Sequence, residues 1–118
     1  MDINAEKGME VLRCYRAACR RIDQLNRRRG RKPTSPQIEQ QLDDAIQDAT
    51  QRRLRIQNTL SKMGDDRYKE VIELLYIDGH IAKRVAMLLH YSESTVSALR
   101  VKGAAQFWAK YIETYGDQ

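Results

Sequence analysis

The residues best equipped to meet a ligand gather in one short stretch, Ser92-Glu93-Ser94-Thr95-Val96-Ser97-Ala98. Lys83 and Arg84 precede it, and Arg100 and Lys102 follow. Their chemistry is hydrogen bonding and charge, not bond making. The hydroxyls of Ser92, Ser94 and Ser97 suit base edges with little discrimination. The Glu93 carboxylate can accept from a cytosine amino group, and the Ala98 methyl can meet a thymine methyl. Thr95 and the four cations suit a phosphate backbone. No catalytic residue is expected. His80 and His90 lack a Cys, Asp or Glu at metal-ligand spacing. No Gly-rich phosphate loop follows a strand, and no nucleophile stands with a base. The expectation is therefore a protein that is not an enzyme and holds neither metal nor other cofactor.

Two short helices are needed to position that stretch. Val85, Ala86 and Leu89 share one face of the first, and Val96 and Leu99 share one face of the second. Ala86 is small where the two would come closest. His90 falls at the turn, where φ is usually positive and glycine is the usual residue. Tyr91 adds an apolar plug, Ser92 is a good N-cap, and Glu93 sits where the helix dipole favours a carboxylate. This is the pattern of a helix-turn-helix, whose second helix enters the major groove of duplex DNA. An ordinary helical pair inside an all-α core would share much of it. Removing the inward Val96 and Leu99 leaves Ser92, Glu93, Ser94, Ser97 and Ala98 facing outwards, with Val101 near the end. A third helix over 67–77, with Tyr68, Val71, Ile72, Leu74, Leu75 and Ile77 as its stripe, supports the pair from behind and ends at Asp78-Gly79. The second helix runs on through Phe107, Trp108, Tyr111 and Ile112, aromatics that read as core and not as a base-stacking platform.

The chain carries 21 Lys/Arg and 16 Asp/Glu, net +5. Ten of the cations fall in 1–33 against four acids, so this third holds +6, the middle third −2 and the remainder +1. A basic excess favours a polyanionic partner without choosing among DNA, RNA and an acidic protein. Residues 3–28 read as a helix with apolar Met9, Leu12, Tyr15, Cys19, Ile22 and Leu25 at helical spacing. Arg13, Arg16, Arg20, Arg21 and Arg27 occupy most of the rest. The run Arg27-Arg28-Arg29-Gly30-Arg31-Lys32 ends it, with Gly30 as a C-terminal cap. These arginines read either as a solvated face complementing the helix dipole or as an auxiliary arm for phosphates. Ser35 caps and Pro36 opens a second helix over 36–62. Its 4-3 seam is Ile38, Leu42, Ala45, Ala49, Arg52, Ile56, Thr59 and Met63, weak in the middle. Asp65 or Asp66 caps the helix that follows. Cys14 and Cys19, five apart on one helix, cannot pair with each other and read as small core residues in a reducing compartment.

The segment Tyr68-Lys69-Glu70-Val71-Ile72-Glu73-Leu74-Leu75-Tyr76-Ile77-Asp78-Gly79, followed by Val85 to Val96 with its Tyr91-Ser92-Glu93-Ser94-Thr95-Val96, resembles the C-terminal region of the ArpU/RinA-type phage transcriptional regulators. That region is similar to sigma-factor region four, and the likeness covers about 67–112. It implies control of late phage genes, as an activator, by binding upstream DNA. The fold expected is all-α: an arginine-rich antiparallel helical hairpin over 1–63 for oligomerisation or partner binding, and a helix-turn-helix unit over 64–118. Expected partners are double-stranded DNA, RNA polymerase and a second copy of the chain. No run is apolar enough to span a membrane, so no membrane partner is expected, and the expected location is the bacterial host's cytoplasm. Two other readings remain. One is a terminase small subunit recognising packaging DNA; the other is a polymerase-binding protein with no DNA contact of its own.

Overall fold

Gly8 sits inside a long helix, where glycine weakens helix formation by about 1 kcal/mol relative to alanine, and its position shows why it is there. In the computed structural model, which describes residues 2–31, 35–64 and 66–116, a Cβ on Gly8 would collide with the backbone carbonyl of Ala104. Two helices touch there almost backbone to backbone. The helix that carries Gly8 is α1 (Ile3–Arg31), and its partner is α5 (Glu93–Tyr115). Between them come α2 (Pro36–Ser61), α3 (Asp66–Ile72), a single π-helical turn over Glu73–Ile77, and α4 (Ala82–Leu89). The described residues are all-helical, five helices and no strand. At 1.5 Å per residue α1 is about 44 Å long and sets the long dimension of the 53 × 32 × 23 Å molecule.

The apolar spacing in α1 divides between two partners. Ala5, Met9 and Leu12 join Phe107 and Ala104 of α5 in the larger core, with Tyr15, Ile56, Leu60, Met63 and Ile72. Leu25 is buried farther along the helix. Gln57 of α2 donates to the Tyr15 hydroxyl at 2.8 Å, while Arg29 pairs with Glu39 at 3.3 Å and with Asp43. Contacts between α1 and α2 thus run in opposite chain order. The larger core crosses the 63/64 boundary, because α1 packs on α5 as well as on α2. A second, smaller core holds Val71, Val85, Ala86, Val96 and Leu99.

The π-turn explains how one apolar run serves both cores. Asp78 N–H donates to the Glu73 carbonyl at 2.9 Å, five residues back. Leu74 and Leu75 pack on the smaller core, and Tyr76 and Ile77 on the larger. A regular helix over 67–77, expected from the pattern, is therefore replaced at Glu73 by a wider turn. Gly103 lies on the α3 side of α5, where a Cβ would come within 2.9 Å of Ile72 Cγ1.

Several local expectations need correcting. Gly30 does not cap α1: the helix continues to Arg31, and Gly30 is not among the residues with positive φ. Burial of Leu25 and the Arg29 ion pairs carry the helix through it. Ile38 and Arg52 leave the α2 seam; Ile38 is exposed, and Arg52 pairs with Asp48 at 3.1 Å on the surface. Leu42, Ala49, Ile56, Thr59 and Met63 keep their buried places, and Leu60 joins them in the core. Cys14 is exposed and only Cys19 is half-buried; both thiols are free. Asp65 lies outside the described residues, and Asp66 opens α3. Among the described residues no helix is long and apolar enough to cross a membrane.

Gly8 and Gly30 make a paired test. Gly8→Ala is expected to destabilise the protein by about 1–3 kcal/mol through overpacking. Gly30→Ala, with nothing within 4 Å of the new methyl, should stabilise it by about 0.5–1 kcal/mol. Urea denaturation of both variants reads the two signs directly.

Candidate functional site

The start of α5 is held from one side only. Val96 is fully buried and Leu99 nearly so, both against Val85 and Ala86 of α4 and Val71 of α3. Between α4 and α5 the chain turns in three residues. His90 takes φ 59°, ψ 40°, the left-handed conformation, as the C-cap of α4. Tyr91 N–H reaches back to the Ala86 carbonyl at 3.0 Å, the hydrogen bond that closes a Schellman-type helix end. Tyr91 packs half-buried on the smaller core. Ser92 is extended, and its Oγ accepts from Thr95 N–H at 3.1 Å. Both local expectations, a positive φ at His90 and a serine cap at Ser92, describe the backbone found.

Ser92, Glu93, Ser94, Ser97 and Ala98 are all exposed on α5, as are Thr95 and Lys102. No part of α1 or α2 covers them. The Ser92 hydroxyl is already occupied, lying 2.8 Å from Thr95 Oγ1 and 3.1 Å from Ser94 Oγ besides capping the helix. Glu93, Ser97 and Ala98 are exposed towards a ligand, and Ser94, also exposed, shares its hydroxyl with Ser92. Lys83 and Arg84 are exposed on α4.

Arg100 points elsewhere. It is half-buried and lines a cleft with Glu6, Met9, Glu10 and Arg13 of α1. Counting around α5, Arg100 falls on the same side as Val96, Phe107 and Ala104, away from Ala98. It helps close α1 onto α5 beside Tyr76. Burial pushes the Tyr76 phenol above its ordinary value, partly offset by the positive charges of Arg100 and Arg13. Val101, expected outward, packs half-buried on the larger core.

The basic arm divides in the same way. Arg29 is held by Glu39 and Asp43 of α2 and is not available as a phosphate contact. Arg27 and Arg28 are exposed. Arg31 closes α1, and Lys32 lies outside the described residues. Ahead of the run at 27–32, the fold brings Arg13 and Arg16 beside the α3–α5 unit, Arg13 sharing a cleft with Arg100. The Arg16 guanidinium lies directly over Gly79, so that a Cβ there would collide with it. Gly79 itself has φ 79°. Unforeseen is an apolar outer strip around α4, with Ile81 70 % and Met87 61 % exposed and Leu88 beside them. Among the described residues no group of His, Cys, Asp and Glu is placed to hold a metal ion.

No family model, curated protein or solved structure matches this chain.

Two outcomes follow for the turn. Ser92→Ala should lower stability by about 1 kcal/mol through loss of the cap, whereas His90→Gly should raise it by about 1 kcal/mol by relieving the left-handed residue; thermal melts of the pair check the signs. For Tyr76, a raised folded value means that the stability it contributes is fully present below its ordinary value of about 10 and is lost as pH rises above it. Tyr76→Phe should flatten the stability decline in that alkaline range, read from denaturation curves at stepped pH.

Proposed function

We propose that the chain binds double-stranded DNA with sequence preference, using α4, the His90 turn and α5 as a helix-turn-helix, and that it regulates transcription of phage or prophage late genes as an activator. The observation that carries the DNA reading is the exposure of Ser94, Ser97 and Ala98 on the opening turns of a helix whose Val96 and Leu99 are anchored behind them. A recognition helix needs that division, because its N-terminal side chains must reach base edges while its rear stays packed. Lys83, Arg84 and Lys102 surround the exposed turns and suit phosphates. The regulatory role rests on the resemblance over 67–112 to the ArpU/RinA-type regulators.

No arginine stands among the outward residues, so the strong bidentate contact to guanine is missing. Affinity from one copy is modest on this reading. A homodimer on two half-sites, or RNA polymerase binding alongside, supplies the remainder in the cytoplasm of the bacterial host. Enzymatic activity has no place in the proposal.

Selection of bound fragments from a random duplex pool at fixed salt tests it, followed by gel shifts on an enriched site. Lys102→Ala should weaken binding to every duplex alike and make the salt slope shallower by about one unit. Ser94→Ala and Ser97→Ala should change preference among sites and leave that slope alone. No enrichment from the pool overturns the DNA reading. Ring-sized oligomers bound to a packaging site would move the role from regulator to terminase subunit.

A further inference from the structure

The face of α1 that buries Ala5, Met9 and Leu12 does not end where the core ends. Continued along the helix, the same side carries Arg13, Arg16, Arg20 and Arg27, at steps of three, four and seven residues, with the exposed Asp23 between the last two. All four are exposed, and among the described residues none of them makes an ion pair. The other flank of α1 is occupied by α2 through Tyr15 and Arg29. This side, by contrast, loses its apolar partner after Leu12 and becomes a row of four cations interrupted by one acid, Asp23. Arg13 with Arg16, and Arg16 with Arg20, are like charges at helical contact spacing, which weakens an isolated helix. A polyanion laid along the row would relieve that repulsion.

The direction of the row identifies which polyanion. Lys7 lies over the Trp108 ring at 5.5 Å, Gly8 meets Ala104, and Arg13 shares a cleft with Arg100. α1 therefore runs towards the start of α5 as α5 runs away from it. Measured from the Gly8–Ala104 crossing at 1.5 Å per residue, Glu93 lies about 16 Å along α5. On the same scale Arg16 lies about 12 Å, Arg20 about 18 Å and Arg27 about 28 Å along α1. The row begins level with the exposed turns of α5 and continues about 12 Å past them; from Arg16 to Arg27 it spans about 16 Å, long enough to meet several phosphates of one B-DNA strand.

We infer that Arg16, Arg20 and Arg27 of α1 form a phosphate track, which grips the duplex backbone beside the segment that α5 reads and lengthens the footprint on one side. The inference rests on the DNA reading above and deepens it. It moves the auxiliary contact from the arginine run at the end of α1 to a stripe along its length.

The test compares wild type with the full-length R16Q/R20Q/R27Q variant by fluorescence anisotropy. The probes are labelled random-sequence duplexes of about 30 and about 10 base pairs, titrated at stepped salt. On the long duplex the variant's plot of log affinity against log salt should be shallower by about 2.7, at 0.9 per lost phosphate contact. On the short duplex, which Arg16 and Arg20 can still reach but Arg27 cannot, the slope should change less, by about 1.8. The melting temperature should stay the same or rise, since like charges are removed. If it falls, Arg16, which touches Gly79, is the cause, and R20Q/R27Q carries the test with an expected change of about 1.8. Equal slopes for variant and wild type on the long duplex overturn the track while leaving the α5 reading standing. Equal losses on both lengths overturn the flanking placement. Failure of wild type to bind either duplex overturns the track and the DNA reading together.

Discussion

The approach of Gly8 to the Ala104 carbonyl is the constraint on which the rest of the structure depends. Two helix axes can come this close only where one side has no Cβ. Gly103, the residue before Ala104, leaves room for the Ile72 side chain of α3, 2.9 Å from where a Cβ would stand. α5 is thereby held between α1 and α3 at one level, with Phe107 fully buried just beyond. The glycine in mid-helix weakens α1 by about 1 kcal/mol. Burial of Met9, Leu12 and Phe107 stabilises by about 1.5–3 kcal/mol each. Packing wins, and α1 is part of the body of the protein, not a detached arm.

That clamp also shapes what α5 offers to the outside. Its later turns pack against α1, α2 and α3 through Gly103, Ala104, Phe107 and Trp108, and its far end is tied to α2. Asn58 donates to the Tyr115 hydroxyl at 2.8 Å, Arg55 lies 5.0 Å over the Tyr115 ring, and Lys62 reaches Thr114 at 3.2 Å. Its first turns rest only on the small core of Val71, Val85, Ala86, Val96 and Leu99. A helix fixed at its rear presents its front with little freedom, which suits hydrogen-bonding side chains that must meet a partner in register. The π-turn at Glu73 links the two regions, since adjacent residues of one short segment seal both cores.

Charge follows packing in the same way. Arg29 and Arg27 are near neighbours in sequence, yet Arg29 is consumed by Glu39 and Asp43 of α2 while Arg27 faces solvent. Arg100 and Lys102 differ likewise, one turned onto α1 beside Tyr76 and the other exposed. Two residues along a helix is a rotation of about 200°, enough to exchange a buried flank for an open one. The net excess of +6 over 1–33 is thus not a uniform field: Arg13, Arg16, Arg20 and Arg27 share one side of α1, and Arg21 and Arg28 are exposed on the next.

Much of the fold was legible in local signals. Apolar spacing marked every helix, Ser35 and Ser92 marked two helix starts, Asp78-Gly79 marked a stop, and His90 marked a left-handed turn, because each depends on residues within one helical turn. The outward set Ser92, Glu93, Ser94, Ser97 and Ala98 was equally readable, since burying Val96 and Leu99 fixes the rotation of the segment, but Val101, read as outward, packs on the larger core. Which cations remain free, where Gly8 makes its contact, that Gly30 stays helical and that a regular turn gives way at Glu73 were decided only in the tertiary structure. Each of these turns on a neighbour distant in sequence, such as Ala104 for Gly8, Glu39 for Arg29 or Gly79 for Arg16, and helical periodicity says which face a residue occupies but not what that face will meet.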